Sequence, residues 1–477
     1  MAEQSAVDLS YPRTVHLVGV GGAGVSAIGI ILATMGHRVS GSDINETPAW
    51  PTLAVAGVTT DVVATADLFA SAEEHEAQVV AHSTAFAPTA ADLEAARGAG
   101  RQVVDRAGIL AAVCAARPTV AVSGTHGKTS TTALLATLLD GVGADPSFLV
   151  GAVPVGLGVA ARWGGDGGTF VVEADESDGS FLELGAATAV VTNIDEDHLD
   201  HWGSLDEIEA GFDRFLSEAT DRIVGIDDPR SDGRVDERAL HLARRHRAVT
   251  VGESAEAQYR IHDVVIERLT TTFGLAVDGV ELGPVSIGTP GRHHARNAAV
   301  ALAAAAGLGV ALPDAVAALT GYAGVVRRFE VVGEAAGVVV VDDYAHNPGK
   351  IRALLGSAQE AGWDRVVVIF QPHRFTRTRD QAAALGQALA LADVIAVTGV
   401  YSAGEEPLAG VSGRTLVGAV LDQRPWADVA WVPALDDAVV WATRTLRPGD
   451  LCLTVGAGDV AGLGPRVVAA LGAAVPA

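Results

Sequence analysis

Ten short runs rich in Val and Ile recur along the chain, each followed by a stretch that reads as helix or loop. They are Thr14–Gly19, Arg38–Asp43, Gln78–Ser83, Thr119–Ser123, Phe170–Ala174, Ala189–Asn193, Val338–Asp342, Arg365–Phe370, Asp393–Thr398 and Leu451–Val455. Several are apolar at consecutive positions instead of alternating with polar residues. A strand of that kind must be covered on both faces, which is the situation of a parallel sheet with helices on either side. The alternation therefore confines the chain to α/β architecture. At 477 residues it is too long for one core, so two to four domains are expected.

The chain divides into three blocks. The first, 1–117, opens with HLVGVGGAG; the second, 118–325, opens with TVAVSGTHGKTS and turns strand- and turn-rich over 221–290; the third, 326–477, holds the last strands. Gly164–Gly168 reads as a flexible turn. Lys and Arg number 33 against 58 Asp and Glu, a net charge of −25. Such a surface repels phosphate backbones, so nucleic acid is not an expected partner, and anionic ligands need local Arg and Lys. No apolar run approaches the ~20 residues of a membrane span, and the N-terminus lacks a signal-peptide pattern. A soluble cytoplasmic protein without membrane partners is expected. Cys114 and Cys452 are too few for a disulfide framework or a Cys-based zinc site and read as core residues.

The strongest motif is VAVSGTHGKTS, Val120–Ser130. A β-branched strand runs into Gly124, Thr125, His126, Gly127, Lys128, Thr129 and Ser130, then into a helix. Such a loop aims backbone N–H groups and a helix dipole at phosphate. Lys128 adds charge for the β- and γ-phosphates, and the Thr129 hydroxyl suits Mg²⁺. The first Gly of the usual GxxxxGK[ST] spacing is Val122 here, so the match is partial; the bland alternative is an ordinary strand–helix turn.

Gly19–Gly24 matches GxGxxG, with Asp43 ending the next strand. Alone this suggests a dinucleotide enzyme. The physics requires only a diphosphate on a helix N-terminus, which a UDP-sugar also carries. The phosphate loop downstream favours the UDP-linked substrate over NAD, since hydride transfer has no need of ATP.

Two strands release acidic groups: FVVEADESD, with Glu173 at the strand end, and VVTNIDEDHLDHW, with His198. Glu173 suits Mg²⁺ of a bound MgATP, and His198 becomes a metal candidate from its position beside a second such strand end. Glu176, Asp178, Asp195 and Asp197 stay open between metal ligation and solvated loop charge, and His201 reads as structural or surface. Ser204 with Glu207 forms a capping-box pattern, and Asn347-Pro348 an N-cap and first helical residue. QPHRFTRTR, Gln371–Arg379, concentrates cations at a strand end and suggests carboxylate or phosphate capture, against a solvated basic turn. Arg327 and Arg328, at the joint of blocks two and three, suit ATP phosphates or packing.

These segments, in this order and over nearly the whole chain, resemble the Mur ligase family, most closely its L-alanine-adding branch; GRHHARNA, RRFE, VDDYAHNP, VYSAGEEP and TVGAGDV complete the pattern. The resemblance implies a Rossmann-like N-terminal domain binding a UDP-sugar, a P-loop-type central domain binding ATP and Mg²⁺, and a Rossmann-like C-terminal α/β domain. The last binds the amino acid and closes over the site. The implied activity is ATP-dependent amide-bond formation in peptidoglycan synthesis, joining L-alanine to UDP-N-acetylmuramate through an acyl phosphate. Residue by residue, Gly124–Ser130 carry over as the ATP loop, with Lys128, Glu173, His198 and Arg327 as catalytic groups. Thr129, Glu173 and His198 carry over as metal ligands. Asn297 and His294 fall in the adenine segment, and Asp342 at ribose. Gly21, Gly22, Ala23, Gly24, Asp43 and Ser83 carry over to the UDP-sugar, and Tyr344, His373, Arg374 and Arg377 to L-alanine. His346 is one candidate to take the amine proton; released phosphate or solvent are others. The family commonly has Asn at His294, a second His at Asn347 and Thr at Ser130. A sister ligase adding a recycled murein tripeptide, an NAD-dependent dehydrogenase and a non-catalytic nucleotide-binding regulator remain as alternatives, and monomer or homodimer is open.

Overall fold

The structure is a computed structural model that describes residues 6–231 and 233–474. Three sheets carry the fold, and helices pack against their faces. The first sheet has the order Thr59–Val62, Arg38–Asp43, Thr14–Val18, Val79–His82, Gln102–Asp105, all parallel. Val15, Leu17 and Val18 are fully buried, as consecutive apolar residues in a covered strand must be. Strand order reverses at Thr14–Val18, so the crevice beyond its carboxyl end receives the Gly19–Gly24 turn.

The second sheet has ten strands. Its middle is Thr119–Ser123, flanked in parallel by Phe170–Glu173 and Thr188–Val191. Val122 pairs with Glu173 and Ser123 with Val191, so the loops after all three strands leave the same edge. The helix Lys128–Gly141 has every residue from Thr129 to Leu139 buried; that span carries no charged side chain, only Ala, Leu and small hydroxyl residues, which suits the position. The turn-rich stretch near 221–290 supplies Asp221–Gly225, Val249–Gly252, Tyr259–Glu267, Thr270–Val277 and Val280–Ile287 on one side of this sheet.

The third sheet has the order Glu330–Ala335, Val338–Asp343, Asp450–Val455, Arg365–Phe370, Val394–Val397, Asp428–Trp431, parallel except for its first pair. Asn347 caps the helix Pro348–Glu360 through Lys350 N–H at 2.9 Å, with Pro at the helix start.

All ten expected strands are present, Arg38–Asp43, Thr119–Ser123 and Arg365–Phe370 with the expected ends and the others with ends moved by one or two residues. Ser204 Oγ accepts from Glu207 N–H at 3.3 Å, so the capping bond forms in the direction that needs only the hydroxyl. Both cysteines are buried and free. No helix among the described residues is long and apolar enough to cross a membrane. The chain forms two compact units. One comprises Met1–Asp263, Phe273–Val285 and Ala295–Tyr322; the other comprises Val264–Thr272, Ser286–His294 and Ala323–Ala477.

Candidate active site

In the first unit, the loop after Thr119–Ser123 turns through Gly124 and Gly127, whose φ angles are 120° and 85°. Non-glycine residues are strained there. Space forbids a side chain as well: a Cβ on Gly127 would lie 2.5 Å from Asn297 Oδ1, and one on Gly124 would collide with Thr192. Asn297 is therefore seated directly against the loop. The loop is braced from the next strand. Asn193 Oδ1 accepts from His126 N–H at 2.9 Å, and Asn193 Nδ2 donates to the His126 carbonyl at 2.9 Å. His126 Nε2 lies 3.0 Å from Asp195 Oδ2, and Arg230 pairs with the same carboxylate. Burial alone would raise the Asp195 carboxyl; the bonds from His126 and Arg230 outweigh it and hold it low.

Lys128 begins the helix behind Gly127. Its ammonium donates to Gly124 O at 3.1 Å and pairs with Glu176 at 2.7 Å, while Asp175 stands 3.7 Å away. Glu176 is buried, and burial raises its carboxyl despite Lys128. His198 Nε2 lies 3.9 Å from Glu176. Trp202 Nε1–H donates to the Glu176 carbonyl at 2.9 Å, and Trp202 packs on Phe181, which also meets Phe212 and Phe215. An aromatic cluster thus fixes the acidic loop. Glu173 accepts from Thr129 Oγ1 at 2.8 Å and from Gly151 N–H at 2.6 Å. Ser130 is buried in the first helical turn.

At the glycine turn, Gly21 N–H donates to Asp43 Oδ2 at 2.9 Å and Ile44 N–H to Oδ1 at 2.7 Å. Asp43 thus ties the turn to the end of its strand through Oδ2, while Oδ1 is held by the N–H of its own neighbour. Gly22 and Ala23 are exposed at the start of the helix Ala23–Thr34, and Ser83 packs under Gly19. A methyl on Gly24 would meet Arg106 at 3.7 Å. Arg106 also pairs with Asp178 at 3.2 Å beside a cavity of about 230 Å³ lined by Thr84, Asp105, Ser180 and Glu183. Arg106, a cation beside the turn, has a single signal in the sequence, an Arg at the head of a helix that follows a strand end.

In the second unit, Arg327 Nε donates to Asp342 Oδ2 at 3.0 Å and its Nη2 to Gly456 O at 2.5 Å. Two residues given separate roles from sequence are thus partners here. Asp342 is buried, which raises its carboxyl against the pull of Thr454 and Arg327. His294 is buried with Nδ1 lacking a hydrogen-bond partner; burial holds the imidazole far below its ordinary value, and His293 and Arg328 add to this. The strand Arg365–Phe370 leads into His373, Arg374 and Arg377. Arg377 Nη1 donates to His373 Nδ1 at 3.1 Å. Tyr344, His346, His373 and Tyr401 line up at ring separations of 5.0, 5.6 and 5.7 Å. Neither Arg374 nor Arg377 forms an ion pair among the described residues, unusual in so acidic a chain. Asn193 and Tyr401 take part in these clusters without having been assigned a role from sequence, and Glu176 and Asp195, read there as either metal ligands or solvated loop charges, are held in ion pairs. Polar residues one to five positions past a buried strand are the signal they share.

A phosphate-type loop between two carboxylate-bearing strand ends, followed by an α/β unit with an unpaired arginine pair, defines a nucleotide-dependent ligase architecture. The chain belongs to the Mur ligase family. Residues 14–118 match the Mur ligase family catalytic domain, 122–305 the Mur ligase middle domain, and 327–458 the Mur ligase glutamate ligase domain. It is 40% identical to the UDP-N-acetylmuramate–L-alanine ligase of Thermobifida fusca, covering 98% of each chain. The UDP-N-acetylmuramate-alanine ligase structure from Thermotoga maritima superposes with a TM-score of 0.77 at 26% identity, covering 96% of this chain and 98% of that one. A murein peptide ligase from Psychrobacter arcticus shares the fold, with a TM-score of 0.63 at 23% identity, covering 98% of this chain and 100% of that one.

Proposed function

We propose that this chain joins L-alanine to the lactyl carboxylate of UDP-N-acetylmuramate in the cytoplasm, at the expense of ATP, for peptidoglycan synthesis. An acyl phosphate is the intermediate, and ADP and phosphate are released. The observation that carries this reading is the convergence of Gly124–Ser130, Glu173 and Glu176 at one sheet edge, in a chain 40% identical along its length to an enzyme of that name. The division of labour follows blocks 1–117, 118–325 and 326–477.

ATP phosphates would displace Glu176 from Lys128, whose charge then stabilises the phosphoryl group in flight. Mg²⁺ fits the oxygens at hand. Glu173 and the Thr129 hydroxyl stand 2.8 Å apart at the loop. Among the described residues no three His, Cys, Asp or Glu groups form a ready cage, as suits an ion held by one or two carboxylates, phosphates and water. When bound, the ion neutralises phosphate charge. Arg374 and Arg377 hold the amino-acid carboxylate, which orients its amine.

Phosphate release with UDP-N-acetylmuramate, ATP and L-alanine, each omitted in turn, tests the reading. All three are expected to be required, and NADH is expected neither to bind nor to compete. Turnover without the UDP-sugar, or tight NADH binding, would remove the proposal. His198→Ala is expected to raise the Mg²⁺ concentration for half-maximal rate while leaving the L-alanine KM nearly unchanged. Titrations of both in the variant check this, and an unchanged Mg²⁺ dependence would exclude His198 from the metal site.

A further inference from the structure

The amino-acid end of the second unit is crowded with hydrogen-bond donors. Arg374 and Arg377 can only donate. Arg377 donates to His373 Nδ1 at 3.1 Å. A neutral imidazole that accepts at one nitrogen carries its proton on the other, so His373 presents Nε2–H, a third donor. An amino-acid carboxylate is suited to that set. The amine on the adjacent carbon needs the opposite, an acceptor.

His346 supplies one. Its Nδ1 lies 2.9 Å from the Tyr344 carbonyl, and a carbonyl can only accept. The proton of neutral His346 is therefore on Nδ1, and Nε2 carries a lone pair. The ring is 5.6 Å from that of His373, which in turn stacks on Tyr401 at 5.7 Å. The nearby carboxylate, Glu405, is occupied: Thr376 N–H and Oγ1 bond its two oxygens at 3.0 and 2.5 Å.

We propose that His346 Nε2 accepts the proton of the attacking amine while Arg374, Arg377 and His373 hold the carboxylate of the same amino acid. This rests on the ligase reading and adds a residue to it. In the step, the neutral amine's lone pair forms the C–N bond to the acyl carbon. The C–O bond to phosphate breaks, its electron pair leaving with phosphate. The N–H proton that the amide cannot keep passes to Nε2 and on to solvent. The free imidazole starts neutral: burial foremost, with the charges of Arg377, Lys350 and His373 and against the Tyr344 carbonyl, lowers it to about 4. A bound carboxylate beside Arg374 and Arg377 offsets their charge and raises the basicity of His346 in the complex.

The test compares two nucleophiles on the full-length enzyme with ATP and UDP-N-acetylmuramate. L-Alanine needs a proton acceptor and the carboxylate clamp. Hydroxylamine, neutral at pH 7 and reactive enough toward acyl phosphates to pass its N–H proton directly to water, traps the acyl phosphate as a hydroxamate without either, so it reports the first half-reaction, in which His346 has no part. In His346→Gln, kcat with L-alanine is expected to fall roughly 10²-fold or more, with hydroxamate yield, read by mass spectrometry, within a few-fold of wild type. Normal L-alanine turnover in the variant, or an equal loss with both nucleophiles, would overturn the assignment. Absence of hydroxamate from the wild-type enzyme would instead overturn the ligase reading beneath it.

Discussion

Lys128→Ala is expected to abolish ATP-dependent phosphate release, by roughly 10²-fold or more, while UDP-sugar binding survives. The ammonium is the cation built into the loop at the helix start, and in the protein alone it is held by Glu176 and the Gly124 carbonyl. Its removal has a second consequence, because Glu176 is buried and loses its partner. Unpaired buried charge is costly, so the carboxyl, already raised by burial, rises further. A carboxyl raised on folding contributes stability that is complete below its ordinary 4.5 and is lost as pH climbs through the raised value. The thermal stability of Lys128→Ala should therefore fall as pH rises through that window. Lys128→Ala/Glu176→Gln should be flatter with pH and equally inactive. Activity in either variant near that of wild type would sink the phosphate-loop assignment. A pH-independent Tm difference would sink the account of the pair.

Arg377→Ala is expected to raise the L-alanine KM roughly 10- to 150-fold, the cost of one hydrogen bond to a charged group at ~1.5–3 kcal/mol. The same clamp sets which amines are accepted. Glycine and L-serine present the same carboxylate and differ by a methyl or a hydroxyl, so they should be used about 10- to 200-fold less well. A tripeptide places its terminal carboxylate several residues from its amine. It cannot meet Arg374 and Arg377 while its amine reaches the acyl phosphate, so essentially no turnover is expected. Phosphate release with each amine, at saturating ATP and UDP-N-acetylmuramate, measures this. Faster turnover with L-alanyl-D-glutamyl-diamino-acid tripeptide than with L-alanine would favour the sister ligase.

Periodicity and local chemistry made much of the molecule legible. Consecutive apolar residues such as Val120–Val122 or Val338–Val341 have only one stable setting, a strand covered on both faces, so the α/β class and the ten strands follow from neighbouring residues alone. The loop at Gly124–Ser130 is equally local, because φ values of 120° and 85° at its glycines and the helix start behind them are properties of a short segment. What a carboxylate does is not local. Glu173, Asp175, Glu176 and Asp178 lie within six residues and look alike in sequence. Strand pairing and the Trp202–Phe181 cluster bury Glu176 against Lys128 and seat Glu173 on Thr129. They leave Asp178 exposed beside Arg106. Asp43 likewise has the spacing of a ribose ligand, and the fold ties one of its oxygens to Gly21 N–H in the glycine turn and the other to the N–H of Ile44. Arg327 and Asp342, 15 residues apart, become an ion pair only when the antiparallel strands on either side of 336–337 bring them together. Charge–charge energies depend on separation and burial, and both are set by long-range packing that no short stretch of chain encodes.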